Sequence, residues 1–225
     1  VVSLVPSVTE TLLAWGVRPV AVTRFCAQPG IRHVGGTKNP DVDAIVSIAP
    51  ELVVMDQEEN RVEDHDALVR AGVPVHVTAV RDLDDVGPTL GALAACLGTD
   101  APLTTLRPGA PVALRAFVPI WRRPWMALGT PTYGASLLRR IGVANIYDDL
   151  DAPYPAVLLE DAAARHPDVV VAPDEPYPFG ERHRTELERV APVRFVDGRD
   201  LVWWGVRTAS ALERLAALVA TWEAP

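Results

Sequence analysis

Only two cysteines, Cys26 and Cys96, occur among the 225 residues. There is no CxxC pair, so neither a zinc knuckle nor a thioredoxin-like redox pair is encoded, and two buried free thiols are the expected state. The histidines (His33, His65, His76, His166 and His183) are scattered. No HxH or HExxH spacing brings two of them to one metal ion, so no metal site is expected. The GxSxG elbow and a GxGxxG fingerprint after a strand are both missing, which removes the common serine-hydrolase and dinucleotide-binding readings. Lys and Arg form no run, and the net charge is -8. A phosphate backbone wants a basic face, so nucleic acid is not an expected partner. No apolar run is long enough to span a bilayer, and no membrane insertion is expected. No signal-peptide pattern opens the sequence, because Val1 already belongs to an expected strand. Either a cytoplasmic protein or a chain that starts after a removed leader fits that.

What is present is ordinary globular material: 49% hydrophobic and 22% charged residues, in a chain long enough to bury one large core or two small ones. Twenty-one prolines and fifteen glycines announce many sharp element ends. The first third alternates strand and helix signals. Val1–Val5 reads as a buried strand, followed by a helix to about Trp15 capped by Ser7 or Thr9 and closed by Gly16. Val20–Phe25 is the next strand, with Arg24 and Phe25 at its C-terminal end, the end that faces ligands in open α/β sheets. His33–Pro40 carries Gly35, Gly36, Thr37 and Lys38. The phosphate-loop spacing GxxxxGK[ST] is absent, so the glycines read as a tight turn or a close backbone approach. Asp41 caps the helix Val42–Ala49. Glu51–Met55 is a strand that runs into the polar Asp56–Arg61 cluster, then comes the helix Val62–Ala71 and the strand Val73–Val80. Glu58 and Glu59 are candidates for an acid/base pair, but a solvated strand-to-helix loop is the reading the residues favour.

The chain pivots on Asp82–Arg107. Leu83, Val86, Leu90, Leu93, Ala94 and Leu97 fall on one helical face, Asp82 suits the start, and Gly98 suits the end. Pro88 sits early enough to end or kink the first turn. A helix linking two similar α/β halves gives two lobes with a cleft; an ordinary crossover helix inside one continuous domain fits the pattern equally well. Beyond it, Val112–Trp121 reads as a strand, Trp121–Met126 as an aromatic and arginine-rich loop, Ala135–Ile141 as a helix closed by Gly142, and Asn145–Tyr147 as a short extended piece. Leu158–Asp161 enters a helix that leaves at His166-Pro167. Asp168–Ala172 is a buried strand that delivers the proline-stiffened loop Pro173–Gly180, with two acids and two aromatics. The helix Arg182–Val190, the strand Val193–Val196, a turn at Asp197-Gly198 and a final helix Thr208–Trp222 complete the chain. Of six tryptophans, Trp121, Trp125, Trp203 and Trp204 fall in loops or at strand ends, where planar or amphipathic ligands stack.

The opening Val1–Glu10, the Gly35–Asp41 stretch and Ala49–Val54 resemble the substrate-binding proteins of ABC importers for cobalamin and iron chelates, the class III helical-backbone group. The resemblance continues through Trp125–Tyr133, Gly142–Asn145, Tyr154–Glu160 and Pro167–Ala172. It implies two Rossmann-like α/β lobes with parallel sheets, joined by a connecting helix, with a ligand cleft between them. In this sequence the lobes would be residues 1–81 and 112–225, with 82–111 as helix and linker. It implies non-catalytic binding of a corrinoid or related metal chelate as cargo, with no required cofactor, a possible ABC permease as partner, an extracytoplasmic location and a monomeric state. The short, proline-broken linker Thr99–Pro111 and the lack of a visible leader depart from the family pattern.

On that reading the ligand-binding residues are Arg24, Phe25, Gly36, Thr37, Lys38, Glu59, Trp125, Tyr133, Tyr177, Phe179 and Trp204. A flat macrocycle stacks on the aromatics, and Arg24 and Lys38 meet carboxylate or phosphate groups. The resemblance further makes Glu59 or Glu63 in the first lobe, and Glu175 in the second, the acids that dock on a permease. The alternatives are a cytoplasmic sensor or enzyme on the same scaffold, with Glu58, Glu59 and Arg61 as its polar centre, and an interaction module that has lost its ligand.

Overall fold

The computed structural model describes residues 1–26, 28–100, 102 and 106–222; part of the linker expected at 99–111 lies outside them. The chain divides into two compact units. The first takes in Val1–Val80, the helix Val86–Leu97 and Trp204–Val206; the second takes in Arg81–Leu83, the chain from Leu114 to Trp203, and the helix Thr208–Val219.

The first unit is built from β1 (Val2–Ser3), α1 (Pro6–Ala14), β2 (Ala21–Val22), β3 (Arg32–His33), α2 (Val42–Ile48), β4 (Val53–Asp56), α3 (Val62–Arg70), β5 (Val75–Thr78) and α4 (Val86–Leu97). Its sheet runs β3-β2-β1-β4-β5, and every pair is parallel. Strands of this kind are buried on both faces, which is why Val2, Leu4, Ala21, Val53 and Met55 read as apolar runs rather than alternations. With Ile45 of α2 and Leu68 of α3 they form one core, each large side chain contributing roughly 1.5–3 kcal/mol. Neither Ser7 nor Thr9 caps α1. Pro6 takes the first helical position, where a missing N–H costs nothing, and both hydroxyl residues lie inside the helix and are buried. Asp41 does cap α2, its Oδ1 accepting from the Ala44 N–H at 2.9 Å. The expected strand 20–25 shortens to β2, and Arg24–Cys26 forms a 3-10 turn. A second 3-10 turn, Leu83–Asp85, precedes α4, so Pro88 falls in the first turn of the α-helix and breaks no internal bond. Gly98 closes α4 in the left-handed region at φ 62°.

The second unit comprises β6 (Leu114–Phe117), β7 (Pro119–Trp121), β8 (Met126–Ala127), α5 (Tyr133–Arg140), β9 (Val143–Asn145), α6 (Leu159–Ala164), β10 (Val169–Pro173), α7 (Arg184–Leu187), β11 (Val193–Val196), α8 (Gly198–Val202) and α9 (Thr208–Val219). Its parallel sheet runs β11-β10-β6-β9, with β7 and β8 as a separate antiparallel hairpin. The single strand expected over 112–121 therefore splits, and the break falls ahead of Pro119, which has no N–H for a central ladder. The helix expected over 182–190 contracts to a 3-10 turn at Glu181–His183 followed by four-residue α7. Where a turn was expected at Asp197-Gly198, Asp197 caps the short helix α8, accepting from the Arg199 N–H at 2.9 Å. Cys26 is a buried free thiol, whereas Cys96 is exposed on α4, which corrects the expectation of two buried thiols.

In both sheets the first strand is internal. β1 lies between β2 and β4, and β6 between β9 and β10. The chain thus reverses its direction of travel across each sheet beside its first strand, and the loops leaving neighbouring strand ends there diverge and leave a crevice. In the first unit Asn60 fastens that edge. Its Oδ1 accepts from the Asp56 N–H at 2.8 Å, and its Nδ2 donates to the Thr37 carbonyl at 2.9 Å. Asn60→Ala strands two buried backbone groups, and denaturant unfolding should show a loss of about 2–4 kcal/mol. A loss below about 0.5 kcal/mol would show that water satisfies both groups and that Asn60 is not the fastener.

Candidate functional site

The first unit presents its strand-end loops around Gly35-Gly36. Gly35 has φ 84°, and a Cβ there would lie 2.6 Å from the Asn39 carbonyl oxygen; only glycine fits this turn. A Cβ on Gly36 would lie 3.2 Å from the Phe25 ring and 3.3 Å from Arg24 Nη2. Arg24 in turn sits 5.0 Å from the Phe25 ring centroid. Three residues singled out from the sequence therefore converge, with Phe25 exposed on top. Thr37 is buried, and its carbonyl is taken by Asn60. Lys38 is exposed and its ammonium donates to the Glu58 carbonyl. Asp56 lies beneath this edge. Its Oδ1 accepts from the Glu58 N–H at 2.9 Å and its Oδ2 accepts from the Thr78 hydroxyl at 2.7 Å. Burial pushes its carboxyl above the ordinary value, against the lowering effect of these hydrogen bonds. Glu58 and Glu59 sit on the turn that wraps Asp56 and are exposed, and Arg61 pairs with Glu63 at 3.3 Å. The backbone of this turn caps Asp56.

The second unit gathers aromatic rings from two loops. The β7–β8 turn supplies Trp121 and Trp125, and the loop after β10 supplies Tyr177 and Phe179. Trp125 stacks on Phe179 with centroids 5.9 Å apart and planes 4° apart. Tyr177 bridges, 4.7 Å from Phe179 and edge-on to Trp121 at 5.6 Å. Trp121 is 44% exposed, Tyr177 and Trp125 are half-buried, and Phe179 is 4% exposed, so the cluster grades from an exposed edge at Trp121 to a buried ring at Phe179. Arg122 lies 5.9 Å from the Trp125 centroid and pairs with Glu186 at 2.9 Å. Arg123 stands exposed at the same turn with φ 67°.

Other residues singled out from the sequence hold different places. Tyr133, Phe179 and Trp204, expected to present rings to a ligand, are buried. Tyr133 is 3.1 Å from the Thr208 hydroxyl, and Phe179 backs Trp125. Glu63 is exposed beside Arg61, whereas Glu175 pairs with Arg199 at 3.2 Å. His183 carries no sequence motif, yet its ring lies 5.5 Å from both Tyr177 and Phe179. Its Nδ1 accepts from the Gly180 N–H at 3.2 Å. The four-residue spacing from Phe179, across one turn, is the only signal that would have placed it. Among the described residues no cluster of three or more His, Cys, Asp or Glu side chains is arranged to hold a metal ion, and no helix is long and apolar enough to cross a membrane.

No protein-family model matches the chain. The vitamin B12-binding protein of Salmonella choleraesuis is 26% identical over 188 residues, covering 76% of this chain and 71% of that protein. Among solved structures, the periplasmic vitamin B12-binding protein of Vibrio cholerae gives a TM-score of 0.75 at 18% identity, covering 97% of this chain and 95% of that one. A periplasmic heme-binding protein from Pseudomonas aeruginosa gives 0.78 at 19% identity, covering 100% and 94%. These structures share the fold of this chain.

His183 also makes the aromatic cluster sensitive to pH. Burial, then the nearby Arg182 and Arg122, hold its imidazole below the ordinary value, with Glu186 and the Gly180 hydrogen bond acting the other way. The folded state therefore binds its proton more weakly than the unfolded chain does. Stability contributed by neutral His183 is complete above pH ~6.5 and is lost as the pH falls through the unfolded value toward the folded one. Thermal melts between pH 7.5 and 5 should show this decline, and His183→Gln should flatten it. Parallel profiles for the two proteins would exclude His183 as the source.

Proposed function

We propose that the chain is a substrate-binding protein of an ABC importer, of the class III type that includes the vitamin B12 and heme receptors it resembles, and that it binds a tetrapyrrole macrocycle of the corrinoid or heme type for delivery to such an importer. Members of this group bind their cargo and do not transform it, so the reading with Glu58, Glu59 and Arg61 as a catalytic centre falls away. The observation that carries the proposal is the aromatic face of Trp121 and Tyr177. It sits at the switch point of the second sheet and is backed by Trp125, Phe179 and His183. A conjugated ring several ångströms across gains most from such a face, because stacking and apolar burial add without demanding specific hydrogen bonds.

Arginines border this face, with Arg122 held by Glu186 and Arg123 exposed. They suit the carboxylate or phosphate groups at the edge of such a ligand. In the first unit Arg24, Phe25 and Lys38 are proposed to contact ligand, Gly36 and Thr37 to shape the backbone beneath them, and Glu59 to lie at the rim. Glu63, exposed and negatively charged at the start of α3, is the proposed acid that docks on the importer. The protein acts outside the cytoplasm, as its periplasmic relatives do.

Titration with cobalamin, cobinamide and heme, followed by tryptophan fluorescence and calorimetry, tests this. One of the three should bind one-to-one with quenching. Trp121→Ala and Tyr177→Ala should each weaken binding by about ten-fold or more, the scale of losing an aromatic anchor. Silence with all three ligands, or unchanged affinity in both variants, would contradict the assignment.

A further inference from the structure

Glu175 stands where the resemblance puts an importer-docking acid, yet its surroundings commit it elsewhere. The loop from Asp174 to Gly180 carries Tyr177 and Phe179, and its first two residues are both fixed to α8. Asp174 Oδ1 accepts from the Gly198 N–H at 2.7 Å. Glu175 Oε1 accepts from Arg199 Nε at 3.2 Å. The approach is close. A Cβ on Gly198 would fall 2.4 Å from the Glu175 nitrogen and 2.8 Å from its Cβ, so only glycine lets the two backbones meet.

Arg199 is itself braced. Its guanidinium lies 5.1 Å from the Trp203 ring centroid, and Arg207 lies 5.5 Å from the same ring. Arg207 pairs with Asp200 at 2.9 Å, and Arg214 reaches both oxygens of Asp200 at 2.6 Å. Asp200 is 4% exposed. A buried carboxylate with two arginine partners is held rigidly, because removing any partner leaves charge without water. The series Asp200, Arg207, Trp203, Arg199, Glu175 therefore connects a rigid post between α8 and α9 to the root of the aromatic loop.

We propose that Glu175 is a positioning residue: through Arg199 it anchors the loop that presents Tyr177 to the ligand, rather than serving as the second lobe's docking acid. This rests on the ligand reading above. A docking acid works with its charge exposed to a partner; the Glu63 side chain is 66% exposed in its pair with Arg61, whereas that of Glu175 is 35% exposed in its pair with Arg199. Loss of the anchor loosens a loop whose value lies in being ordered before the ligand arrives.

The test uses Glu175→Gln, Arg199→Met, the double variant and Arg199→Lys in the full chain. In ligand-free protein, the backbone amides of Tyr177, Phe179 and Gly180 should exchange with deuterium faster in both single variants, with little further change in the double. Affinity for heme or cobalamin should fall about two- to five-fold in each single variant, the scale of a half-exposed ion pair. The double should be no worse than the worse single, and Arg199→Lys should recover part of the loss. The melting temperature should stay near that of the parent. Parental exchange and affinity in both single variants, or losses that multiply in the double, would overturn the proposal. If the parent protein binds neither macrocycle, the ligand reading fails, while the exchange measurement still decides whether Glu175 anchors the loop.

Discussion

Parallel strand direction is the constraint on which the rest of the molecule depends. When every strand of a sheet points the same way, every strand's C-terminal end emerges on one edge, and the loops that follow are delivered there together. In both units the first strand is internal, so the chain reverses its travel beside it and opens a crevice between neighbouring loops. Trp121 and Trp125 follow β6, and Tyr177 and Phe179 follow the adjacent β10; their meeting is a consequence of strand order. In the first unit the same geometry brings the Arg24-Phe25 turn after β2 against the Gly35-Gly36 turn after β3.

Loops delivered to an edge still have to be held, and the chain does this with buried polar groups. Asn60 fastens the Asp56 turn to the Thr37 loop in the first unit. In the second unit Asp174 reaches the Gly198 N–H and Glu175 reaches Arg199, with Asp200 and its two arginines behind them. Each fastening has a buried or half-buried acceptor that would be costly to leave unmade, so the loops are ordered by the penalty of breaking them as much as by the strength of the bonds. The two buried acids differ instructively. Asp56 is surrounded by N–H and hydroxyl donors, and burial pushes its carboxyl upward against them; Asp200 is held between two arginines.

Most of the architecture was legible because it rests on short-range signals. Asp41 before an apolar run, Gly98 after one, and the unbroken Val169–Ala172 all act locally, and the structure places elements there. The misreadings arose where a second rule won. Pro6 at the first helical position made a Ser or Thr cap unnecessary, and Pro119 divided a strand that composition alone would have continued. Site residues were legible as loop positions but not as surfaces. Arg24, Phe25 and Gly36 converge at one strand-end edge, yet nothing local distinguishes a ring that faces solvent, such as Trp121, from a buried one, such as Phe179. Tyr133, outside the helix expected from Ala135, is the first residue of α5, and its direction follows from packing against Thr208. His183 and Arg199 had no motif at all, because their roles come from contacts made across turns and between elements.

The proposed role is carriage of a tetrapyrrole macrocycle as unaltered cargo. Native mass spectrometry of the purified protein, mixed with equal amounts of cobalamin, cobinamide and heme, tests it most directly. A single dominant adduct is expected, one macrocycle per chain, whose mass on release equals that of the compound supplied. No adduct with any of the three, or release of a chemically changed macrocycle, would contradict it.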